Sequence, residues 1–177
     1  YNETDFNFIS RLMEREGIFY FFQQKESSHI LILGDAPSAH SSCPSASSAR
    51  FHKEAVTEQF MDCISSCHIQ QRIIPQETKM GSYNYLTPQT HLSSHASGHG
   101  YGGGGTLTTY DQIYEHQSRG DELAKIALQA QEFSKKMTEG LSTVPFFLPG
   151  YKFKLKDHPR EDANVEYTLY EVVHEAR

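Results

Sequence analysis

Phe6, Ile9, Leu12 and Met13 recur at the spacing of one helical face, and this pattern predicts a helix over residues 2–16. Asn2 stands where an N-cap would, with Asp5 three residues on, and Gly17 supplies the left-handed stop. Residues 18–22 then form an unbroken aromatic and aliphatic run, residues 25–28 a polar turn, and residues 29–33 a second apolar run ended by Gly34. That sequence of signals predicts a β-hairpin. The expected core of this helix-hairpin unit is Phe6, Leu12, Phe19 and Phe21.

Beyond it the pattern weakens. Residues 36–50 are rich in Ser, Ala and Pro and read as a connector. Short apolar stretches at 56–60, 67–74 and 83–86 read as strands, interrupted by Pro75 and Pro88. Residues 93–106 are dominated by Ser, Gly and His. They offer little surface to bury against their ordering entropy, so a mobile loop is expected there.

A second helix is predicted from Ser118 onward, where Ser118 and Asp121 suggest a capping box. Its expected apolar stripe is Leu123, Ile126, Ala127, Ala130 and Phe133. Lys135 and Lys136 favour its C-terminal dipole, and Gly140 is the expected stop. Residues 144–148 read as extended, followed by the Pro149-Gly150 turn. Tyr151, Phe153 and Leu155 then alternate with Lys152, Lys154 and Lys156, the signature of a half-buried strand. A turn through His158-Pro159 and Asn164 leads to a last strand over 167–174. The fold class is therefore α+β: a helix-hairpin subdomain with its connector over residues 1–50, and a β-barrel-like tube domain with one flanking helix over 51–177.

Composition narrows the possible chemistry. The 177 residues carry a formal net charge of −6, with no Lys/Arg block that would mark a nucleic-acid footprint. No apolar run reaches the roughly 18 residues that span a bilayer. Three cysteines, Cys43, Cys63 and Cys67, are too few and odd in number for a disulfide framework and fit a reducing compartment. The chain opens at Tyr1 and reads as a piece of a longer protein.

Two constellations invite a metal reading. His91, His95 and His99 lie four residues apart and would share a face if helical, but the Ser/Gly surroundings disfavour a helix and no clear fourth ligand stands nearby. Cys63 and Cys67 with His68 give C-x3-C-H, a poor match to zinc spacing, and read as buried structural thiols. There is no G-x-S-x-G. Glu14 and Glu16 flank Arg15 as a solvated face rather than an acid/base pair. No catalytic, cofactor or metal residue is assigned, and the chain is expected not to be an enzyme; a metal-binding or enzymatic module built on the histidine run is the rival reading.

The opening YNETDFNFISRLMEREGIFYFF, followed by HILILGD, resembles a motif of the VgrG family, the spike proteins of type VI secretion related to hub proteins of contractile phage tails. LPGYKFKLKDHPREDANVEYTLYEVVH resembles the family's Pro-Gly, alternating strand, His-Pro, Asn and closing strand ending in His. The stretch from Arg119 to Ala124 resembles the family's helix start. The middle departs: Tyr83-Asn84-Tyr85-Leu86 stands where the family has a Tyr-Asp-Phe-like strand, and a Gly/His-rich stretch follows.

The resemblance implies a structural subunit. Family members trimerise, and each chain contributes two similar barrel-like tube domains to a pseudo-sixfold ring. That ring sits on the hexameric Hcp tube, with a needle at the far end for puncturing target membranes and delivering effector cargo. Such a protein starts in the bacterial cytoplasm and is then secreted or translocated to the exterior or target cell. It is expected neither to bind nucleic acid nor, over this stretch, to insert into membranes. Without the needle, the stretch alone is expected to be a monomer or weak oligomer. A hub or baseplate protein of a contractile phage tail or tailocin would carry the same motifs.

Overall fold

The computed structural model describes residues 2–53, 62–98, 104–110 and 114–175. The fold is α+β, with two α-helices and ten short strands among the described residues. The chain divides into two compact units. One comprises residues 1–18 and 70–137, the other 19–69 and 138–177.

The first unit opens with α1, Asp5–Arg15. Thr4 rather than Asn2 is its N-cap, accepting a hydrogen bond from the Asn7 amide at 3.2 Å. Gly17 adopts φ +70, as expected of the helix stop. The amphipathic pattern of α1 is real, but none of its residues is buried: Phe6 is 61% exposed and Leu12 40%. Periodicity reports which face seeks burial, and no described element of this unit covers that face. What holds α1 is its C-terminal end. Glu16 pairs with Arg119 at 2.5 Å, and Gly17 abuts Ile126.

The rest of this unit is a three-stranded sheet with a helix on one side. Strands β5 (Glu77–Ser82), β6 (Leu92–Ser97) and β7 (Thr106–Thr109) pair in the order β6-β5-β7. Helix α2 (Gln117–Phe133) packs on β5 and β6. The expected mobile loop over 93–106 is thus strand β6 as far as Ser97, and β7 begins at Thr106; residues 99–103 lie outside the described residues. β6 alternates strictly, with Leu92, Ser94 and Ala96 buried and Ser93, His95 and Ser97 exposed. Small residues on the buried face hide the strand from a hydrophobicity count, yet they are what the helix needs beneath it.

The buried face of helix α2 shares Leu123 and the partly buried Ala127 with the expected stripe but is rotated from it. Gly120, Leu123, Ala124 and Leu128 are buried, whereas Ala130 and Phe133 are exposed. His116 occupies the N-cap without a side-chain hydrogen bond, so the Ser118 capping box is not formed. Gln117 instead donates from Nε2 to Ser93 O at 2.8 Å and Ser94 Oγ at 2.9 Å, tying the first turn to β6. The helix ends at Ser134, and Gly140 lies inside a strand, β8 (Lys136–Ser142). Residues 83–86, read as a strand, are not one; Tyr83, Tyr85 and Leu86 are exposed. The strand expected over 56–60 lies outside the described residues.

In the second unit, β1 (Phe19–Gln24) and β2 (His29–Gly34) form the expected hairpin, with Gln24 paired to His29 around the predicted turn. A five-stranded sheet follows, ordered β10-β9-β3-β4-β8. Its members are β3 (Ser48–Phe51), β4 (Cys63–Gln71), β8 (Lys136–Ser142), β9 (Lys152–Lys156) and β10 (Glu166–Thr168). β3, drawn from the Ser-rich connector, pairs parallel to both β4 and β9. The last strand is shorter than the expected 167–174. The core gathers Phe21, Cys43, Ala49, Ile64, Val144, Phe147, Tyr151, Phe153, Leu155 and Ala163. α1 therefore falls in one unit and the hairpin in the other, whereas the sequence reading grouped them within residues 1–50.

Candidate functional site

The two stretches that carry the family resemblance meet in the second unit. Phe21, from the opening motif, is buried against Gly150 of the Pro149-Gly150 turn. Gly150 adopts φ +85, and a Cβ there would overlap the Phe21 ring; both the turn and the close approach require glycine. His40 completes the junction. Its ring stacks on Phe19 at 4.6 Å between centroids, and its Nδ1–H donates to Gly150 O at 2.8 Å. Tyr151 meets Phe21 edge-on at 5.8 Å.

The His-Pro…Asn stretch is a second fixed point. Asn164 accepts from the His158 amide at 2.9 Å through Oδ1 and donates back to His158 O at 2.9 Å through Nδ2. The Arg160 amide donates to His158 Nδ1 at 3.0 Å. Phe51 packs edge-on against the same imidazole at 4.4 Å. Near the chain's end, His174 donates from Nε2 to Phe147 O at 3.0 Å.

Tyr167 on β10 links the two edges of the five-stranded sheet. It donates to Ala163 O at 2.9 Å and lies within hydrogen-bonding reach of Cys67 on β4 and Thr138 on β8. Since β10 and β8 are opposite edges in the strand order, their approach means that the sheet curls into a barrel-like form. Burial raises the pKa of both the Cys67 thiol and the Tyr167 hydroxyl. The Arg160 charge and the Tyr167 hydrogen bond oppose the rise at Cys67.

The residues singled out for metal chemistry do not converge. His95 is on β6 and His91 just precedes it. Four residues of extended chain set their Cα atoms about 13 Å apart, a spacing that does not bring two imidazoles onto one ion. His99 lies outside the described residues. His95 sits instead 3.7 Å from Glu77, which also accepts from Thr106 at 3.0 Å. Cys63 is buried beside Thr143, Cys67 packs on the core and His68 is exposed. Cys43 is buried as well, donating to Phe146 O at 3.0 Å. Among the described residues, no group of three or more His, Cys, Asp or Glu is placed to hold a metal ion. The sequence reading missed the roles of His40, Tyr167 and Glu16. None carries a local signal for those roles: His40 meets Gly150, Glu16 meets Arg119, and Tyr167 meets Cys67 and Thr138 as well as nearby Ala163.

This is a β-rich scaffold whose recognisable polar residues satisfy backbone groups rather than facing a common cavity. The family model describing the phage tail baseplate hub (GPD) matches residues 1–177, and the chain belongs to that family. It is 31% identical to the type VI secretion system spike protein VgrG1b of Pseudomonas aeruginosa, over 99% of this chain and 24% of the relative. It is 30% identical to VgrG1a of the same organism, over 99% of this chain and 28% of the relative, and 29% identical to VgrG1c, over 99% and 25%. The chain thus spans about a quarter of the length of these spike proteins.

Proposed function

We propose that this chain is the hub portion of a type VI secretion spike, a structural subunit that assembles with further copies into a trimer on the hexameric tube. The match along all 177 residues, together with 29–31% identity to spike proteins, carries the reading. The way the polar residues are used supports it. His40, His158, Asn164 and His174 each hydrogen-bond to a backbone group, which suits a part that must hold its shape under load. In this reading the protein is not an enzyme over this stretch. It is exported with the tube when the machine fires, and any effector cargo rides on the assembled spike. No helix among the described residues is long and apolar enough to cross a membrane.

Deleting the gene in its host and measuring tube-protein export to the medium tests the reading. Export should be lost and should return with the wild-type gene. Unimpaired export would overturn the proposal, and loss of contractile tail particles instead would favour the phage or tailocin hub.

A further inference from the structure

The alternation over residues 151–156 buries Tyr151, Phe153 and Leu155 and leaves lysines on the opposite face of β9. The sheet brings more charge to that face. β3 runs parallel beside β9 with Arg50 paired to Lys156, and β10 runs antiparallel on the other side with Glu166 paired to Lys154. Arg50 reaches Asp157 at 3.4 Å, and Lys152 reaches Glu166 at 3.7 Å. Lys154 and Lys156 are exposed and have no carboxylate within ion-pair distance among the described residues. The face therefore carries four cations against two anions, on a chain whose overall charge is −6.

We propose that this face of β9 and β3 is a docking surface for an acidic protein segment in extended conformation. Two observations select that partner. Alternate residues of a strand recur every 6.6 Å or so, and an extended segment with carboxylates at alternate positions presents the same repeat. The interleaved Glu166 and Asp157, with the acidic remainder of the chain, repel a uniform polyanion such as a nucleic acid or an anionic lipid surface while leaving room for discrete carboxylates. The sequence alone shows only the Lys152–Asp157 part of this stripe, because Arg50 and Glu166 join it through strand pairing.

The test uses the whole chain and a peptide of alternating Glu and Thr, about ten residues long. A peptide of the same composition with its Glu residues in one block, a single-stranded oligodeoxynucleotide and phosphatidylserine-containing vesicles serve as comparisons. The alternating peptide should bind more tightly than all three, with affinity falling as salt rises. The double variant Lys154→Glu/Lys156→Glu should weaken it by about tenfold or more at low salt, and Lys154→Gln/Lys156→Gln by less, both with unchanged circular dichroism. Absence of peptide binding, equal binding by the Glu variant, no preference over the block peptide, or tighter binding of oligonucleotide or vesicles would each overturn the proposal.

Discussion

Ser94 on β6 lies directly beneath Gly120 on α2, so close that a Cβ on Gly120 would meet the Ser94 hydroxyl and stand 2.5 Å from the Tyr114 ring. The helix rests on the sheet through this contact. Alanine favours a helix over glycine by about 1 kcal/mol, but overpacking a tight contact costs about 1–3 kcal/mol. The contact with Ser94 and the Tyr114 ring puts the cost toward the upper end, so Gly120→Ala should destabilise the chain by up to about 2 kcal/mol net, read as an earlier urea midpoint. Any stabilisation would show that helix and sheet are less closely packed.

Phe21 and Leu12 come from the same opening motif and should respond very unequally. Phe21→Ala removes a ring packed on Gly150 and Tyr151 and should cost about 3–5 kcal/mol. Leu12→Ala in the isolated chain should stay within about 0.5 kcal/mol, as for other exposed positions. Equal losses from the two would contradict this assignment of the helix face.

Stability should fall in alkali through Cys67 and Tyr167. Both are acids whose folded pKa is raised above the ordinary 9.0 and 10.0 by burial. The folded chain therefore holds protons that the unfolded chain has released. Their contribution is complete below about pH 9 and is lost as pH rises through the raised values. Comparing urea midpoints between about pH 8 and about pH 11 should show the decline, and Cys67→Ala with Tyr167→Phe should flatten it. A wild-type profile no steeper than the variant's would count against the buried pair.

Asn164 clamps the turn after His158 through its side-chain amide. Asn164→Ala leaves the His158 amide and carbonyl without that partner and should cost about 1–3 kcal/mol. Asn164→Asp keeps the acceptor and loses the donor, so its loss should be smaller. The order of the two thermal midpoints checks this; a neutral Asn164→Ala would mean that the turn holds without its clamp.

The sequence by itself determined the elements whose signals are local. α1, the hairpin, the alternating strand β9, the left-handed stop at Gly17 and the Pro149-Gly150 turn are all legible, because periodicity, turn chemistry and backbone conformation act over a few residues. Its motifs also named the family, and the family model spans the same 177 residues.

Only the tertiary structure decided which faces find partners. α1 reads as a core helix, yet its apolar face is exposed; Ser94 and Ala96 read as loop, yet they are buried. β3 emerges from a Ser-rich connector because β4 and β9 supply pairing on both sides. Tyr167 and His40 gain their roles from partners about thirty to more than a hundred residues away. The physical reason is that burial and hydrogen-bond partners are properties of packing. A small polar residue is stable inside when a helix close enough to cover it also satisfies its hydroxyl, and no local pattern records that helix's approach.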